Sequence, residues 1–277
     1  MQQIHKYPRT QHIEGSRLQP GDEDLAAVPF RSIAGRHLVV EEKIDGANCA
    51  VSFSNAGELL LQSRGHYLTG GPREKHFNLL KQWAATHATC LHERLGDRYV
   101  MYGEWTYAKH TVYYDALPHY FLEFDILDTT DHTFLSTSRR RELLAGAPVV
   151  SVPVLYEGAF KKIDQLTSLI GPSLYIRPNL PGEPTHMERL RGRAEKLQLD
   201  PDRAVAETDR SGLMEGLYIK VEQPDENGNP RVLERYKYVR ADFLTAVFAA
   251  EGHWLNRPII PNLLADSVDL FDPSAET

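Results

Sequence analysis

Residues 39–53 read VVEEKIDGANCAVSF. Val39 and Val40 lead in. On the way out Cys49, Val51 and Phe53 alternate with Ala50 and Ser52, the period-two pattern of a β-strand. Between the apolar stretches stand Glu41, Glu42, Lys43 and Asp45, followed by Gly46. Three acids and a lysine therefore sit where two strands turn. A solvated hairpin tip accounts for them. So does a reactive lysine among groups that manage its charge.

The chain has 277 residues, 42% of them hydrophobic, enough for one large domain or two modest ones. Charged residues make up 25% and aromatics 9%, the composition of an ordinary globular protein. No apolar run approaches the ~18 residues of a membrane span, and the opening MQQIHKYPRTQH lacks the apolar segment of a secretory signal. Cys49 and Cys90 are far apart and in no CxxC, so neither a disulfide framework nor a cysteine zinc site is expected. A reducing cytoplasm is the expected location. The net charge of -7 speaks against a general nucleic-acid coat but leaves room for a local basic groove. SRRRE at 138–142 and ERLRGRAEK at 188–196 are candidates; a solvated helix face has the same composition.

Residues 1–30 are polar and rich in turn formers, which predicts irregular, extended chain. Strands are predicted across 36–63 in RHLVVEEKI, ANCAVSFS and ELLLQSR, and later in RYVMYGEW and YFLEFDILD. Phe77, Leu80, Ala84, Ala88, Leu91 and Leu95 recur at spacings of three and four, predicting a helix over 74–95. Ser138 is a candidate cap for a short helix through Leu144. In VVSVPVLYEGAF, Pro153 marks an edge or a bend. Helices are predicted over 161–170, 184–210 and 241–251. GLMEGLYIKVE and RVLERYKYV read as strands joined by the turn QPDENGNP. There is no internal repeat. Strands and helices without a βαβ rhythm predict an α+β fold on antiparallel sheets: an arm over 1–30, a main domain over 31–250 with a helical insertion at about 160–212, and a short tail over 251–277.

The phosphate-binding GxxxxGK[ST], a helix-opening GxGxxG and the zinc motif HExxH are all absent, and the twelve His residues show no ligand spacing. LTGGP at 68–72 reads as a turn. What is present is a series of polar residues at strand ends. Lys43 and Asp45 share a strand face by alternation. Arg64 ends QSRG, Glu104 ends YGEW, and Asp125 lies in EFDILD. Glu215 opens EGLYIK, which closes on Lys220. Arg235 and Lys237 share a face in ERYKYV.

Taken in this order, KIDG, SRG, YGEW, FDI, EGLYIK and RYK resemble the motifs of the covalent nucleotidyltransferases: ATP-dependent DNA ligases, RNA ligases and capping guanylyltransferases. The likeness spans about residues 38–240. EKIDGAN is most similar to the EKxxGxN pattern of RNA ligases of the phage RNA-ligase-2 type. The opening KYPRTQHIEGSRLQPGDED resembles bacterial RNA-ligase-like proteins regarded as RNA-repair enzymes. Arg235 departs from the pattern, where a lysine is usual; a bidentate fork replaces a point charge. The stretch after Val239 is too short for the OB-fold of DNA ligases and capping enzymes. The resemblance implies a nucleotidyltransferase (ATP-grasp-like ligase adenylylation) fold of antiparallel sheets flanked by helices, with no OB-fold.

The resemblance also implies roles. Lys43 attacks the α-phosphorus of ATP and carries AMP. That AMP passes to an RNA 5′-phosphate, and a 3′-OH then seals the bond. A free lysine has a pKa of about 10.4, so Lys220, Lys237, Arg235 and Mg²⁺ are the groups expected to lower it. Lys220 and Lys237 are expected on the α-phosphate oxygens, and Arg64 on ribose or phosphate. Asp45, Glu104 and Glu215 are expected to hold Mg²⁺ or Mn²⁺, directly or through water. Phe124 is expected to stack on adenine, and Glu42, Ile44 and Asn48 to contact the nucleoside. The arm is expected to fold over the pocket and offer Arg17 or His12 to phosphate. The expected partners are RNA and an end-healing kinase or phosphatase. A DNA ligase, a GTP-dependent capping enzyme and a catalytically inactive nucleic-acid-binding relative are the competing readings.

Overall fold

The computed structural model describes residues 4–18, 22, 25–224, 228–243 and 258–272. In chain order the elements are β1 (Gln11–His12), β2 (Leu38–Lys43), β3 (Ala47–Phe53), β4 (Leu59–Ser63), α1 (Asn78–Thr86), α2 (Ala88–Leu95), β5 (Tyr99–Trp105), β6 (Phe121–Asp128), β7 (Thr133–Leu135), α3 (Thr137–Leu144), β8 (Val150–Ser151), β9 (Val154–Gly158), α4 (Ile163–Thr167), α5 (His186–Lys196), α6 (Pro201–Ala206), β10 (Gly216–Pro224) and β11 (Pro230–Val239). The strands pair in the order β4-β3-β5-β6-β7-β11-β10-β2-β9. Every pair on that path is antiparallel. β1 adds to β11 and β8 to β6, both parallel. The three-residue β7 links two halves: β4-β3-β5-β6 and β11-β10-β2-β9.

Alternation sorts each strand into two faces. Cys49, Val51 and Phe53 join Met101, Trp105 and Phe121 in one core, covered by Leu80, Trp83, Leu91 and Leu95 of α1 and α2. Behind the second half, Leu38, Val40, Leu217, Ile219 and Val221 pack with Ile13, Phe30 and Leu166. The faces turned inward share a smaller cluster: Ala50, Val100, Tyr102, Phe134, Val232 and Tyr7 of the N-terminal arm. Burying apolar faces front and back is worth about 25 cal/mol per Å² of area removed from water, which makes these three clusters the main stabilising term.

Several local expectations shift. The apolar stripe over 74–95 serves two helices, because the chain breaks at His87 (φ −101°, ψ 12°) after a 3₁₀ turn at Pro72–Phe77. Ser136, not Ser138, caps α3; its Oγ accepts from the Arg139 amide. The stretch 161–170 is helical only over Ile163–Thr167, and 184–210 divides into α5 and α6, with Pro201 opening the second at a capping Asp200. The helix expected over 241–251 falls mostly outside the described residues. Residues 258–272 are laced onto the loop after β5: Asn262 is fully buried, accepting from the Tyr114 amide (3.0 Å) and donating to the Thr106 carbonyl (2.6 Å). Neither basic stretch is a continuous charged face. Arg140 is buried, and Arg189 is tied to Asp115 (2.5 Å).

Arg140 opens a buried ion-pair network. Its guanidinium reaches Glu41 of β2 (2.6 Å) and Glu123 of β6 (2.7 Å). Lys220 of β10 donates to the same Glu41 (3.0 Å) and lies 3.3 Å from Asp125 of β6. All these side chains are 2% exposed or less. The network ties the two sheet halves together just where they diverge. Removing one partner of such a set leaves an uncompensated buried charge. Arg140→Ala is expected to destabilise the fold by about 3–5 kcal/mol in urea unfolding.

A second expectation concerns acid. His119 is buried against Trp83 (ring centroids 5.1 Å apart). Burial pushes its pKa down to about 4. A histidine buried neutral contributes stability that is complete above the unfolded value of about 6.5 and is lost as pH falls from there toward 4. The unfolding free energy is expected to drop by about 2 kcal/mol from this ring between pH 7 and pH 5. In His119→Asn, urea midpoints at the two pH values should differ less than in the native chain.

Candidate active site

Residues directly opposite in antiparallel strands share a face. Lys43 pairs with Gly216, Glu41 with Tyr218, Tyr218 with Lys237 and Lys220 with Arg235. Glu41, Lys43, Tyr218, Lys220, Arg235 and Lys237 therefore share the inward face of one half. In the other half Asn48 pairs with Glu104, Ala50 with Tyr102, and Tyr102 with Asp125. These two faces border a cleft of about 1530 Å³.

Two glycines let the backbone close around the cleft. A Cβ on Gly46 would stand 2.7 Å from the Trp105 carbonyl, and one on Gly216 would stand 1.9 Å from the Tyr238 carbonyl. The Gly after Asp45 and the Gly after Glu215 are thus fixed by close approach of neighbouring strands. Phe124 is the extra residue of a β-bulge opposite Tyr102/Gly103. A bulge re-aims side chains; Phe124 lines the cleft although Asp125, its neighbour, contacts the same Tyr7.

Lys43 ends β2 and its Nζ donates to Glu215 Oε2 at 2.7 Å. Burial favours the neutral amine, but Glu215, Glu104 and Asp45 outweigh it and raise the lysine above its ordinary pKa. This corrects the expectation that neighbouring cations depress it. Lys220 is engaged by Glu41, Asp125 and the Phe124 carbonyl. Arg235 lies 3.9 Å from Asp125 with its guanidinium 3.6 Å from the centre of the Phe134 ring. Lys237 is bonded to Asp22. With their charges engaged elsewhere, acids dominate the surroundings of Lys43.

The three acids differ. Asp45 lies past the strand end, so alternation does not place it beside Lys43. Its Oδ2 accepts from the Thr111 and Val112 amides (2.6 and 2.7 Å), and burial raises its pKa despite those bonds. Glu104 is pushed up to about 8, first by burial and then by Glu215 and Asp45 against the pull of Lys43. Among the described residues no three His, Cys, Asp or Glu side chains converge tightly enough to hold a metal ion unaided. The donor set still fits a hard divalent cation that keeps its own water or phosphate ligands. Crowded carboxylates that favour the proton are relieved by such a charge. Glu104 and Glu215 are the better placed donors, because one Asp45 oxygen is already held by two amides.

The remaining expected residues divide by position. Glu42, Ile44, Asn48, Arg64, Glu104, Phe124 and Lys237 line the cleft. Glu42 also anchors a loop, accepting from Ser173 Oγ (2.5 Å) and the Leu174 amide (3.2 Å). Lys220 and Arg235 are not brought to the cleft lining; they sit beneath it, for the reasons just given. The arm does reach the cleft, but not through Arg17 or His12. Arg17 donates to the Ala241 and Phe243 carbonyls, and His12 is fully buried. Lys6, Tyr7, Arg9 and Asp22 line it instead. Tyr7 donates to Asp125 (2.5 Å) and meets Tyr218. Tyr218 was legible, two residues before Lys220 on the same face. Tyr7 and Asp22 carried no signal, because their places depend on how the arm folds back.

The RNA ligase family matches residues 36–239. No curated protein matches the chain. Among solved structures, the RNA ligase of Naegleria gruberi with pyrophosphate is similar at a TM-score of 0.51 and 16% identity, over 89% of this chain and 59% of that one. A variant of that enzyme with AMP and Mn gives 0.50 and 16%, over 86% and 56%. The chain thus spans under three fifths of these relatives, and at such identity the likeness concerns the fold. The family match holds every element from β2 to β11, the two glycines that close the cleft, and the lysine between its acids: the chain belongs to the RNA ligase family.

Proposed function

We propose that the protein is an ATP-dependent RNA ligase working through a lysyl-AMP intermediate. The observation that carries the reading is Lys43: a lysine at a strand end, facing a cleft, 2.7 Å from Glu215 and within the fields of Glu104 and Asp45. A solvated hairpin tip would not be enclosed in this way. The family match and the AMP and Mn of the Naegleria structure support the choice of RNA, adenylate and a divalent cation.

The lysine must lose a proton before it attacks. Glu215 accepts its hydrogen bond and is the nearest proton acceptor. Neutral Nζ attacks the α-phosphorus; the N–P bond forms as the bond to pyrophosphate breaks. An oxygen of the RNA 5′-phosphate then attacks the same phosphorus, and the N–P bond breaks. The RNA 3′-OH finally displaces AMP from the activated end. The protein's part is to position and to neutralise charge. Lys237 of β11 and Arg64 just after β4 both line the cleft and are the cations assigned to the phosphates. Phe124 and Ile44 bound the nucleoside, with Glu42 and Asn48 offering polar atoms. A divalent cation held by Glu104 and Glu215, with Asp45 behind them, would neutralise phosphate charge. Lys220 and Arg235 act at one remove, by fixing Glu41 and Asp125 under the site.

The full chain incubated with ATP and Mn²⁺ or Mg²⁺ is expected to gain one AMP, read by intact mass and mapped to Lys43. Added pyrophosphate should remove it, and Lys43→Ala should never form it. GMP in its place would indicate a capping enzyme, and no adduct on folded protein would end the reading. Glu104→Gln keeps size and removes a charge. It is expected to raise the Mn²⁺ concentration for half-maximal adduct formation by about tenfold or more.

A further inference from the structure

The N-terminal arm is built into the sheet beside Lys237. β1 runs parallel to β11, with Gln11 opposite Tyr236 and His12 opposite Lys237. Ser16 hooks the same strand, its Oγ accepting from the Val239 amide at 2.9 Å. From there a chain of polar contacts leads inward. Ser16 Oγ meets His12 Nδ1 at 2.7 Å, and His12 Nε2 meets Asp22 Oδ2 at 3.2 Å. Asp22 Oδ2 also accepts from Lys237 Nζ, and its Oδ1 accepts from Arg9 at 3.2 Å. His12 is fully buried, and its only carboxylate partner among the described residues is Asp22. A neutral ring that accepts the Ser16 hydroxyl's hydrogen bond on Nδ1 donates from Nε2 to that carboxylate.

We propose that Asp22, fixed by His12 and Arg9, is a positioning residue that aims the Lys237 ammonium at the nucleotide phosphate. The inference rests on the ligase reading above. Lys237 lies in a place that is hard on a cation. It is buried, and Lys43 carries a like charge nearby; both favour the neutral amine, which could not offset phosphate charge. Asp22, with Glu215 further off, opposes them. The carboxylate itself is held at about 2 by its donors Lys237, His12 and Arg9 against the cost of burial, so it is anionic throughout the working range. Among the described residues the groups facing Lys237 are therefore Asp22 and His12 from the arm, Lys43 from β2, Glu215 before β10 and Tyr218 opposite it on β10, with Arg9 behind Asp22.

The test is single-turnover adenylylation of the full chain with ATP and Mn²⁺ between pH 6 and pH 10. Asp22→Asn keeps shape and removes charge. Its rate at saturating ATP is expected to fall about tenfold or more, with half-saturation by ATP changed less than about threefold. The alkaline limb of its rate profile is expected to move to lower pH, because Lys237 loses the group that keeps it protonated. Asp22→Glu should restore part of the rate and return the limb toward its native place. His12→Asn should move both in the same direction by less, and it decides the matter if Asp22→Asn fails to fold by circular dichroism. A native rate and limb in the folded variants would overturn the proposal and leave the ligase reading intact. A slow Asp22→Asn with an unmoved limb and no rescue by Asp22→Glu would overturn it too, marking Asp22 as a structural staple. If the native chain forms no adduct, the ligase reading fails and the proposal falls with it.

Discussion

The site depends on a buried set of charges beneath the cleft. Arg140 and Lys220 are the cations, and Glu41, Glu123 and Asp125 the acids. β2 and β10 belong to one half of the sheet and β6 to the other; the three-residue β7 is a thin covalent and hydrogen-bonded link between them. Apolar packing holds each half to its own helices and loops. The cleft, by contrast, needs the halves held apart at one side and fixed at the other. Directional, charge-assisted bonds meet that need better than apolar contact, because they specify distance and orientation. Burying them is expensive, and replacing such a set by hydrophobic residues is often neutral or stabilising in other proteins. Its place here, at the root of the cleft, is accounted for by geometry rather than by stability.

This also accounts for Lys220. The motif EGLYIK places a lysine on the same face as Lys43, and sequence alone directs it to the phosphate. In the fold the β10–β2 register sets Lys220 four residues deeper than Lys43, opposite Val39, where Glu41 and Asp125 meet it. Alternation gives the face but not the depth along it. Arg235, opposite Lys220, shares that depth, and its flat guanidinium lies on Phe134 and reaches toward Asp125. A planar cation suits an aromatic face better than an ammonium does, which gives the departure from lysine a physical basis.

The strands, their faces and the cleft-lining residues of β2, β3 and β5 were legible because period-two alternation and the two close-approach glycines are local signals. Three things were not legible. The break at His87 leaves the apolar stripe of a continuous helix unchanged. The bulge at Phe124 inserts a residue without a compositional mark, and so turns the aromatic ring and Asp125 toward the same interior. The arm was expected over the pocket, but which of its residues reach the cleft was not legible, because polar residues that pair only in three dimensions look solvated in one. His12, Ser16 and Asp22 lie within eleven residues of sequence, yet their common target, Lys237, comes from the other end of the chain.

The charge balance at Lys43 follows from the same point. Acids that hold a lysine as its ammonium look contrary to the needs of the nucleophile proposed for Lys43. They are consistent with a site that stays inert until substrate arrives. An amine kept charged chiefly by Glu215 does not react with stray electrophiles, and Glu104, held near 8, keeps its proton until a stronger cation arrives. A hard cation held by these acids would change both terms together: the acids would acquire a stronger partner, and their hold on the ammonium would weaken. On this argument the activating event in the proposed reaction is the arrival of a cation with the nucleotide, not a permanently depressed lysine. The acids around Lys43 then have one consistent role, which a turn tip would not require of them.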